Sequence, residues 1–561
     1  MKSIIECVPN ISEGRDKSKI EAIAAAASSV EGVKLLDIDP GASTNRTVIT
    51  FVGEPEAVCE AAFQLIKKAS ELIDMSKHTG EHPRMGATDV CPLIPISGIT
   101  MEETTRYAKK LGERVGKELN IPVYLYENAA SNDKRRNLAY CRTGEYEGLD
   151  KLSTEEFAPD HGPDKFEGSV KQTGATAISA RDFLVAYNIN LNTTSTRRAN
   201  AIAFDIREAG RVKKTKGITG EVITDDNGEP LRIPGSLKAV KGIGWYIEEY
   251  GVAQLSLNLT NISITPVHVA FDEACRAAQD RGIRVTGSEL VGLIPKQAML
   301  DAADHFLKKQ QRSLGISEEE KMKIAVKSLG LDDLKPFDPR KRVIEYLIED
   351  STQKKLIDMD LKSFAQETAR ESPTPGGGSI SAYVGALGVS LGVMVANLSS
   401  HKRGWDDRWE EFSEWAVKGQ EYLTKLLYLV DEDTNSFNKI MEAFQLPKGT
   451  EEEKSARKQA IQDATRYAIE IPYEVMKTCY ESMEVMKAMV EKGNPNSITD
   501  GAVGALCARA GVIGAFMNVR INCAEYKDEV FVKDVIAKGN DIQKKAMQLE
   551  DEIIKMVGSN L

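Results

Sequence analysis

The residues best suited to acid–base chemistry are crowded into Ser76 to Pro92, SKHTGEHPRMGATDVCP. Two of the six histidines, His78 and His82, stand four apart there, followed by Pro83, Arg84, Gly86 and an apolar run. Gly80 and Pro83 break any helix, because glycine loses more backbone entropy on folding and proline has no N–H to give. The histidines therefore sit on a loop that feeds a strand from Thr88 to Ile94. Imidazole titrates near neutral pH, so such a loop end is a place for proton transfer, though the same residues would also make a plain polar turn. A metal site is not expected, since the helix that would present both rings is broken and no third ligand pattern is nearby. Asp39 closes one strand, and Asn45 and Arg46 open the next. Neighbouring strand ends lie about 5 Å apart, which could bring these three to His82 to orient substrates. Asp39 could equally serve only its own turn.

A second set of candidates lies far downstream. Thr374-Pro-Gly-Gly-Gly-Ser379 precedes a helix of small residues, and the free N–H groups of Gly376, Gly377, Gly378 and Ser379 would suit an anion. Glycines there also serve tight helix packing. In Asp431-Glu-Asp-Thr-Asn-Ser-Phe437, Asp433 is three residues past Val430 and four before Phe437, so it shares their apolar stripe. A carboxylate turned toward a core is costly without a partner or a job, and Lys402 and Arg403 are candidate partners. Asp431 competes for the role, and an exposed acidic helix end is the bland reading. Lys241-Gly-Ile-Gly-Trp lacks the third glycine and the helix of a dinucleotide loop, and reads as a bulge or a close backbone approach.

These groups need scaffolds. Strand, helix, strand, strand, helix, strand from Ser3 to Ile94, with an added helix Met101 to Leu119 and strand Val123 to Glu127, is a split βαβ arrangement. The stretch 140–171 is poor in regular signals and suits a ligand loop or a plain connection. The pattern restarts at Leu184 to Leu191 and runs through a helix Ser195 to Gly210, strands Leu237 to Val240 and Val252 to Leu259, a helix Pro266 to Arg281 and a strand Ser288 to Ile294. An insert, Lys213 to Gly235, reads as a surface hairpin with an Asn-Gly tip and no catalytic role. After a charged linker, only helical spacing remains. The expected fold is α+β, two ferredoxin-like subdomains (1–180 and 181–349), a linker (350–357) and an all-α helical bundle domain (358–561).

A chain of 561 residues calls for several cores. The net charge of −11 argues against general nucleic-acid binding but leaves room for a local basic pocket. Eight scattered cysteines without a C-x-x-C pair fit reduced thiols. No signal-peptide pattern and no uninterrupted apolar run of about 18 residues is seen, so a cytoplasmic, membrane-free protein is expected.

Several motifs together carry a resemblance. CVPNISEGR (Cys7 to Arg15), GASTNRTV (Gly41 to Val48), HTGEHPRMGATDVCP (His78 to Pro92), NINL (Asn188 to Leu191), KGIGWY (Lys241 to Tyr246) and LVGLIP (Leu290 to Pro295) resemble glutamate formimidoyltransferases. TPGGGS, the D-x-x-S-F of Asp433 to Phe437, LPKGTEEEK and GAFMNVRIN are similar to formimidoyltetrahydrofolate cyclodeaminases. The order of modules resembles the bifunctional formimidoyltransferase–cyclodeaminase family over nearly the whole chain.

The resemblance implies two steps of histidine degradation. A formimino group passes from N-formimino-L-glutamate to N5 of tetrahydrofolate, and N10 then closes onto it, expelling ammonia to leave 5,10-methenyltetrahydrofolate. It implies His82 as the transferase acid–base residue and Asp433 as that of the cyclodeaminase. It implies folate binding by Gly162, Pro163, Asp164, Lys165, Phe166, Glu167, Gly168, Ser169, Lys171 and Gly174, in a loop longer and more charged here than the family pattern. It also implies homo-oligomers and polyglutamylated tetrahydrofolate as co-substrate, its tail tethering the intermediate; from the residues themselves no metal and no nucleic-acid or membrane partner is expected. Two alternatives stay open: a methenyltetrahydrofolate cyclohydrolase-like second module, and a non-catalytic folate-binding scaffold.

Overall fold

Apolar alternation in the first strands becomes one face of a sheet in the structure, a computed structural model that describes residues 3–42, 44–80, 84–216, 220–225, 228–348, 355–524 and 526–559. His82, with Glu81 and Pro83, lies outside the described residues. The chain divides into two units, residues 1–299 with 329–349, and residues 300–328 with 350–561.

The first unit opens with β1 (Ile4–Cys7), β2 (Asn10–Ile11), α1 (Lys17–Ser28), β3 (Val33–Gly41), β4 (Arg46–Gly53), α2 (Pro55–Leu72), β5 (Thr88–Ser97), α3 (Met101–Leu119) and β6 (Val123–Glu127). Asp16 caps α1 by accepting from the Ser18 and Lys19 N–H groups, and Thr100 with Glu103 forms a capping box on α3. The two short helices α4 (Leu138–Cys141) and α5 (Ser169–Thr173) precede β7 (Thr176–Ala180). In the sheet β4 lies between β3 and the β1–β2 pair, which is followed by β5, β7 and β6. The first four positions are the split βαβ order and are antiparallel, whereas β7 and β6 extend β5 in parallel. Ile5, Cys7, Ile49, Phe51, Cys91, Leu93 and Ile178 point to one face and pack against α1, α2 and α3. On the other face Met85, Val90, Tyr124, Tyr126 and Ala177 are covered by Leu149, Leu152 and Val170 of the segment that looked irregular.

The second half of this unit has β8 (Val185–Leu191), α6 (Thr196–Ile206), the hairpin β9 (Arg211–Val212) and β10 (Arg232–Ile233), β11 (Val240–Ile247), β12 (Val252–Leu259), α7 (Val267–Gln279) and β13 (Val285–Val291). The sheet order β11-β12-β8-β13, all antiparallel, repeats the split βαβ. The strand expected at Leu237 to Val240 runs instead from Val240 and contains the whole KGIGWY motif. There the Gly244 N–H donates to Asn200 Oδ1 at 3.0 Å and Asn200 Nδ2 to the Gly244 carbonyl at 3.0 Å, so the glycines mark the close approach of α6 to an edge strand. The hairpin insert pairs Arg232 with Val212, while its expected tip residues Asp226 and Asn227 lie outside the described residues. The helices α8 (Lys296–Lys309), α9 (Glu318–Leu329) and α10 (Ile344–Ile348) follow.

The second unit contains α11 (Leu361–Thr368), α12 (Gly377–Ser400), α13 (Trp409–Gln445), α14 (Glu451–Lys492), α15 (Ile498–Cys523) and α16 (Glu529–Gly558). Its core gathers Ala386, Val389, Leu426, Val430, Val475, Cys479, Met483, Val512 and Phe516. Residues 300–328 cluster with this bundle, not with the 181–349 segment: Leu314 N–H donates to Ser413 Oγ at 3.0 Å, and Asn397 Nδ2 to the Gly315 carbonyl at 2.9 Å. By length and composition α12 and the stretch Pro495–Cys523 are apolar enough to cross a membrane, but 61% and 50% of their apolar windows lie inside the bundle. All eight cysteines are free.

Candidate functional site

The first site is a seam where three of the motif segments are stitched together. Asn45 is at its centre. Its backbone is left-handed (φ 49°), a conformation asparagine tolerates better than most residues. Its Oδ1 accepts from Gly14 N–H at 3.0 Å, and its Nδ2 donates to the Thr79 carbonyl at 2.9 Å. Gly14 has no room for a side chain, because a Cβ there would stand 2.3 Å from the Gly41 carbonyl oxygen. Ser12 adds two ties, its Oγ donating to the Gly86 carbonyl at 2.8 Å and its N–H to the Ala87 carbonyl at 2.9 Å. Asn45 was expected to orient substrate directly. Instead both ends of its amide hold loops.

His78 is fixed by the same seam. Its Nε2 lies 3.0 Å from the Asn45 carbonyl, and Arg84 Nε donates to its Nδ1 at 3.3 Å. An acceptor on one side and a donor on the other select the neutral tautomer with the proton on Nε2. Burial lowers its pKa below the ordinary 6.5; the Asn45 carbonyl opposes this and the Arg84 charge adds to it. With both nitrogens engaged, His78 has no lone pair left for a metal or a substrate proton. The Arg84 guanidinium also binds Glu147 at 2.7 and 2.8 Å and Glu145 at 3.3 Å, tying the histidine loop to the turn that follows α4.

Behind the loop, Asp89 is 1% exposed. Its Oδ1 accepts from Met85 N–H at 3.0 Å, and its Oδ2 is bound by the Arg142 guanidinium. Burial raises the Asp89 pKa despite the pull of Arg142, Met85 and Arg46. Burial lowers the pKa of Arg46, which also feels Asp89, Arg142 and Asp39. Asp39 pairs with Val48, and Gly41 with Arg46, so Asp39 and Arg46 share the sheet face away from α1 and α2.

The segment expected to bind folate ends beside the histidine loop. Gly174 bridges Gly86, and Ala87 N–H donates to the Thr173 carbonyl at 2.7 Å, so the loop's end adjoins the histidine segment. Phe166 meets the Tyr146 ring edge-on at 5.4 Å, and Tyr146 OH donates to the Lys171 carbonyl. Gly162 follows His161, which bridges Val123 at the start of β6, so it lies at the same sheet end with β7 between it and the histidine segment. Ser12, Arg142, Glu145 and Glu147 were not singled out from the sequence; Ser12 alone lay inside a motif.

In the second subdomain the NINL strand turns Asn188 and Asn190 to the helix-free face. Gln254 Nε2 donates to Asn190 Oδ1 at 2.8 Å, and Asn190 Nδ2 to Asp333 at 3.2 Å. Ile243 and Trp245 of KGIGWY flank them, each more than a third exposed.

The second site is the start of α12. Asp433 reaches from α13 so that its Oδ2 accepts from Ser379 N–H at 2.8 Å and from Ser379 Oγ at 3.1 Å. Burial raises its pKa, against the two Ser379 hydrogen bonds. Of the N–H groups read as an anion seat, that of Ser379 thus holds the chain's own carboxylate. Lys402 and Arg403 do not join them. They follow the far end of a 24-residue helix, about 36 Å away at 1.5 Å per residue, and Lys402 instead stands 3.9 Å over the Trp405 ring. Asp431 accepts from Leu356 N–H at 2.6 Å and holds the turn before α11. Glu432 pairs with Tyr467 and Asn435, and Lys439 lies 3.7 Å away.

The chain thus has a pair of split βαβ subdomains, the first with a histidine loop at one sheet end, and a helical bundle holding a carboxylate. Models of the formiminotransferase domain's N-terminal subdomain, of the formiminotransferase domain and of formiminotransferase-cyclodeaminase match residues 4–181, 186–349 and 360–541. Formimidoyltransferase-cyclodeaminase of Mus musculus is 43% identical over 533 residues, 95% of this chain and 94% of that protein. Glutamate formimidoyltransferase of Streptococcus pyogenes serotype M1 is 42% identical over 308 residues, 55% of this chain and 94% of that protein. Methenyltetrahydrofolate cyclohydrolase of Methylorubrum extorquens is 31% identical over 201 residues, 36% of this chain and 97% of that protein. The chain belongs to the formimidoyltransferase-cyclodeaminase family.

Proposed function

We propose that the first unit moves the formimino group from N-formimino-L-glutamate to N5 of tetrahydrofolate, releasing glutamate. His82 takes the N5 proton and returns one to the departing amine, a role matched to imidazole near neutral pH. The stitched seam at Asn45 is the observation that carries this reading, since it ties three motif segments together at Thr79 and Gly86, which flank His82 in the sequence. Arg46, beside Arg142 and one buried aspartate, supplies local positive charge for a substrate carboxylate. In the second unit N10 attacks the formimino carbon, the carbon–nitrogen bond to the amino group breaks, and Asp433 carries the N10 proton to departing ammonia. The cyclohydrolase reading of that unit rests on the Methylorubrum relative. The test supplies N-formimino-L-glutamate and tetrahydrofolate and follows glutamate, ammonia and methenyltetrahydrofolate absorbance. Glutamate without ammonia would hand the second unit to the cyclohydrolase reading.

The finer features of the proposal are a polyglutamylated folate tail, a cytoplasmic setting and a homo-oligomer. Self-association is supported by α12 and α15. Ile380, Val384, Leu387, Leu391, Met394 and Leu398 recur at three- and four-residue spacing on α12, as do Val503, Leu506, Ala510, Ile513, Met517 and Ile521 on α15. Seven of these are 38–71% exposed, and none is charged. Their open surface, roughly 600 Å² on one copy, approaches the ~800 Å² per partner of a standard interface. A second copy of this chain is the partner that matches such a face, the same on both sides.

A further inference from the structure

We infer that Gly378 and Ser379 are positioning residues for Asp433, fixing one carboxylate oxygen so that the other meets the substrate. This rests on the assignment of Asp433 as the acid–base group. Ser379 is fully buried and gives both of its donors to one oxygen, Oδ2, at 2.8 and 3.1 Å. Its hydroxyl also lies 3.3 Å from Thr434 Oγ1, the residue after Asp433. Gly378 leaves the room that the carboxyl group occupies, because a Cβ there would stand 2.1 Å from Oδ1, 2.4 Å from the carboxyl carbon and 2.5 Å from Oδ2. The Ser379 N–H is among the first of α12 and has no partner within the helix, so the carboxylate completes the helix start as a capping side chain would.

The two helices are themselves held. Leu426, Leu429 and Val430 anchor α13 in the core, and Ala382 and Ala386 anchor α12. The clamp therefore joins two rigid elements and leaves the carboxylate little rotational freedom. The adjacent acids are held elsewhere, Asp431 by the Leu356 N–H and Glu432 by Tyr467, Asn435 and Lys439. Burial raises the Asp433 pKa and the two Ser379 hydrogen bonds lower it. Removing the hydroxyl takes away part of the contribution that favours the ionised form, so Asp433 must titrate at higher pH.

The experiment uses the full chain with 5-formiminotetrahydrofolate supplied directly, reading ammonia across pH, with glutamate release from N-formimino-L-glutamate as the internal control. Ser379→Ala is expected to lower kcat for ammonia release ~10–100-fold, as for loss of a hydrogen bond to a charged group. KM should stay nearly constant and the Asp433 limb of the pH profile should move to higher pH. Ser379→Thr, which keeps the hydroxyl, should restore most of the rate, and Gly378→Ala should lose as much as Ser379→Ala. Glutamate release should be unaffected in all three. A wild-type rate and profile in Ser379→Ala would overturn the proposal, as would a loss with an unmoved profile and no recovery in Ser379→Thr. Asp433→Ala that still released ammonia would sink the assignment beneath it, whereas failure at Ser379 alone leaves that assignment standing.

Discussion

Replacing Asn45 by alanine should open the first site without touching any atom of substrate. Asn45 is 8% exposed, and its amide makes two hydrogen bonds, to Gly14 N–H and the Thr79 carbonyl. Each contributes about 1 kcal/mol net, and the buried Gly14 N–H would be left unsatisfied. Alanine must also adopt the left-handed backbone seen at φ 49°, which costs about 1 kcal/mol more than in asparagine. The total is about 3 kcal/mol, two decades in the population of the closed seam. Glutamate release should fall by up to about 100-fold, and hydrogen exchange at Gly14 should quicken. Ammonia release from supplied 5-formiminotetrahydrofolate should not change. Asn45→Gly keeps the backbone conformation and loses only the bonds, so it should lie between alanine and wild type. A substrate-contacting Asn45 would behave otherwise, with KM rising in Asn45→Ala and Asn45→Gly alike and exchange unaltered. That result would refute the seam.

Other consequences follow from the same contacts. Burial holds the folded pKa of His78 below its unfolded value near 6.5, so its contribution is complete above that pH and is lost as pH falls toward the lower folded value. Limited proteolysis at the Thr79 loop should therefore accelerate below about pH 6.5, and His78→Gln should flatten that dependence. Arg142→Ala leaves the Asp89 carboxylate buried and unpaired and should destabilise the first unit by about 3 kcal/mol in denaturant, with Asp89→Asn added in cis recovering part of the loss. Leu387→Glu with Met517→Glu puts charge on the α12–α15 face and should lower the assembly mass in analytical ultracentrifugation while leaving helicity intact.

What could be read in the sequence was what local periodicity encodes. Val48, Ile49 and Phe51 lie in a β-rich run and Ala57 to Ala69 recur at helical spacing, so both split βαβ patterns and the long helices from Gly377 to Val557 were legible. β7 was not, because Thr176 to Ala180 is short, small and buried on both faces, giving no alternation to detect. The motif segments were legible as motifs, but not the reason for them. Cys7 to Arg15, Gly41 to Val48 and His78 to Pro92 owe much of their composition to holding one another. Arg142 was invisible because its partner Asp89 is 53 residues away, and nothing local marks a buried ion pair. The glycine run before α12 was read as an anion seat on sound grounds, since free N–H groups do attract one. Only the fold could supply Asp433 as the anion, 54 residues downstream of Ser379.

The most direct test of two separate sites is a product-resolved assay of wild type, His82→Ala and Asp433→Ala, given N-formimino-L-glutamate and tetrahydrofolate. His82→Ala should stop glutamate, ammonia and methenyltetrahydrofolate together, whereas Asp433→Ala should release glutamate at the wild-type rate and accumulate 5-formiminotetrahydrofolate. Loss of glutamate release in Asp433→Ala, or ammonia formed by it at the wild-type rate, would contradict the account.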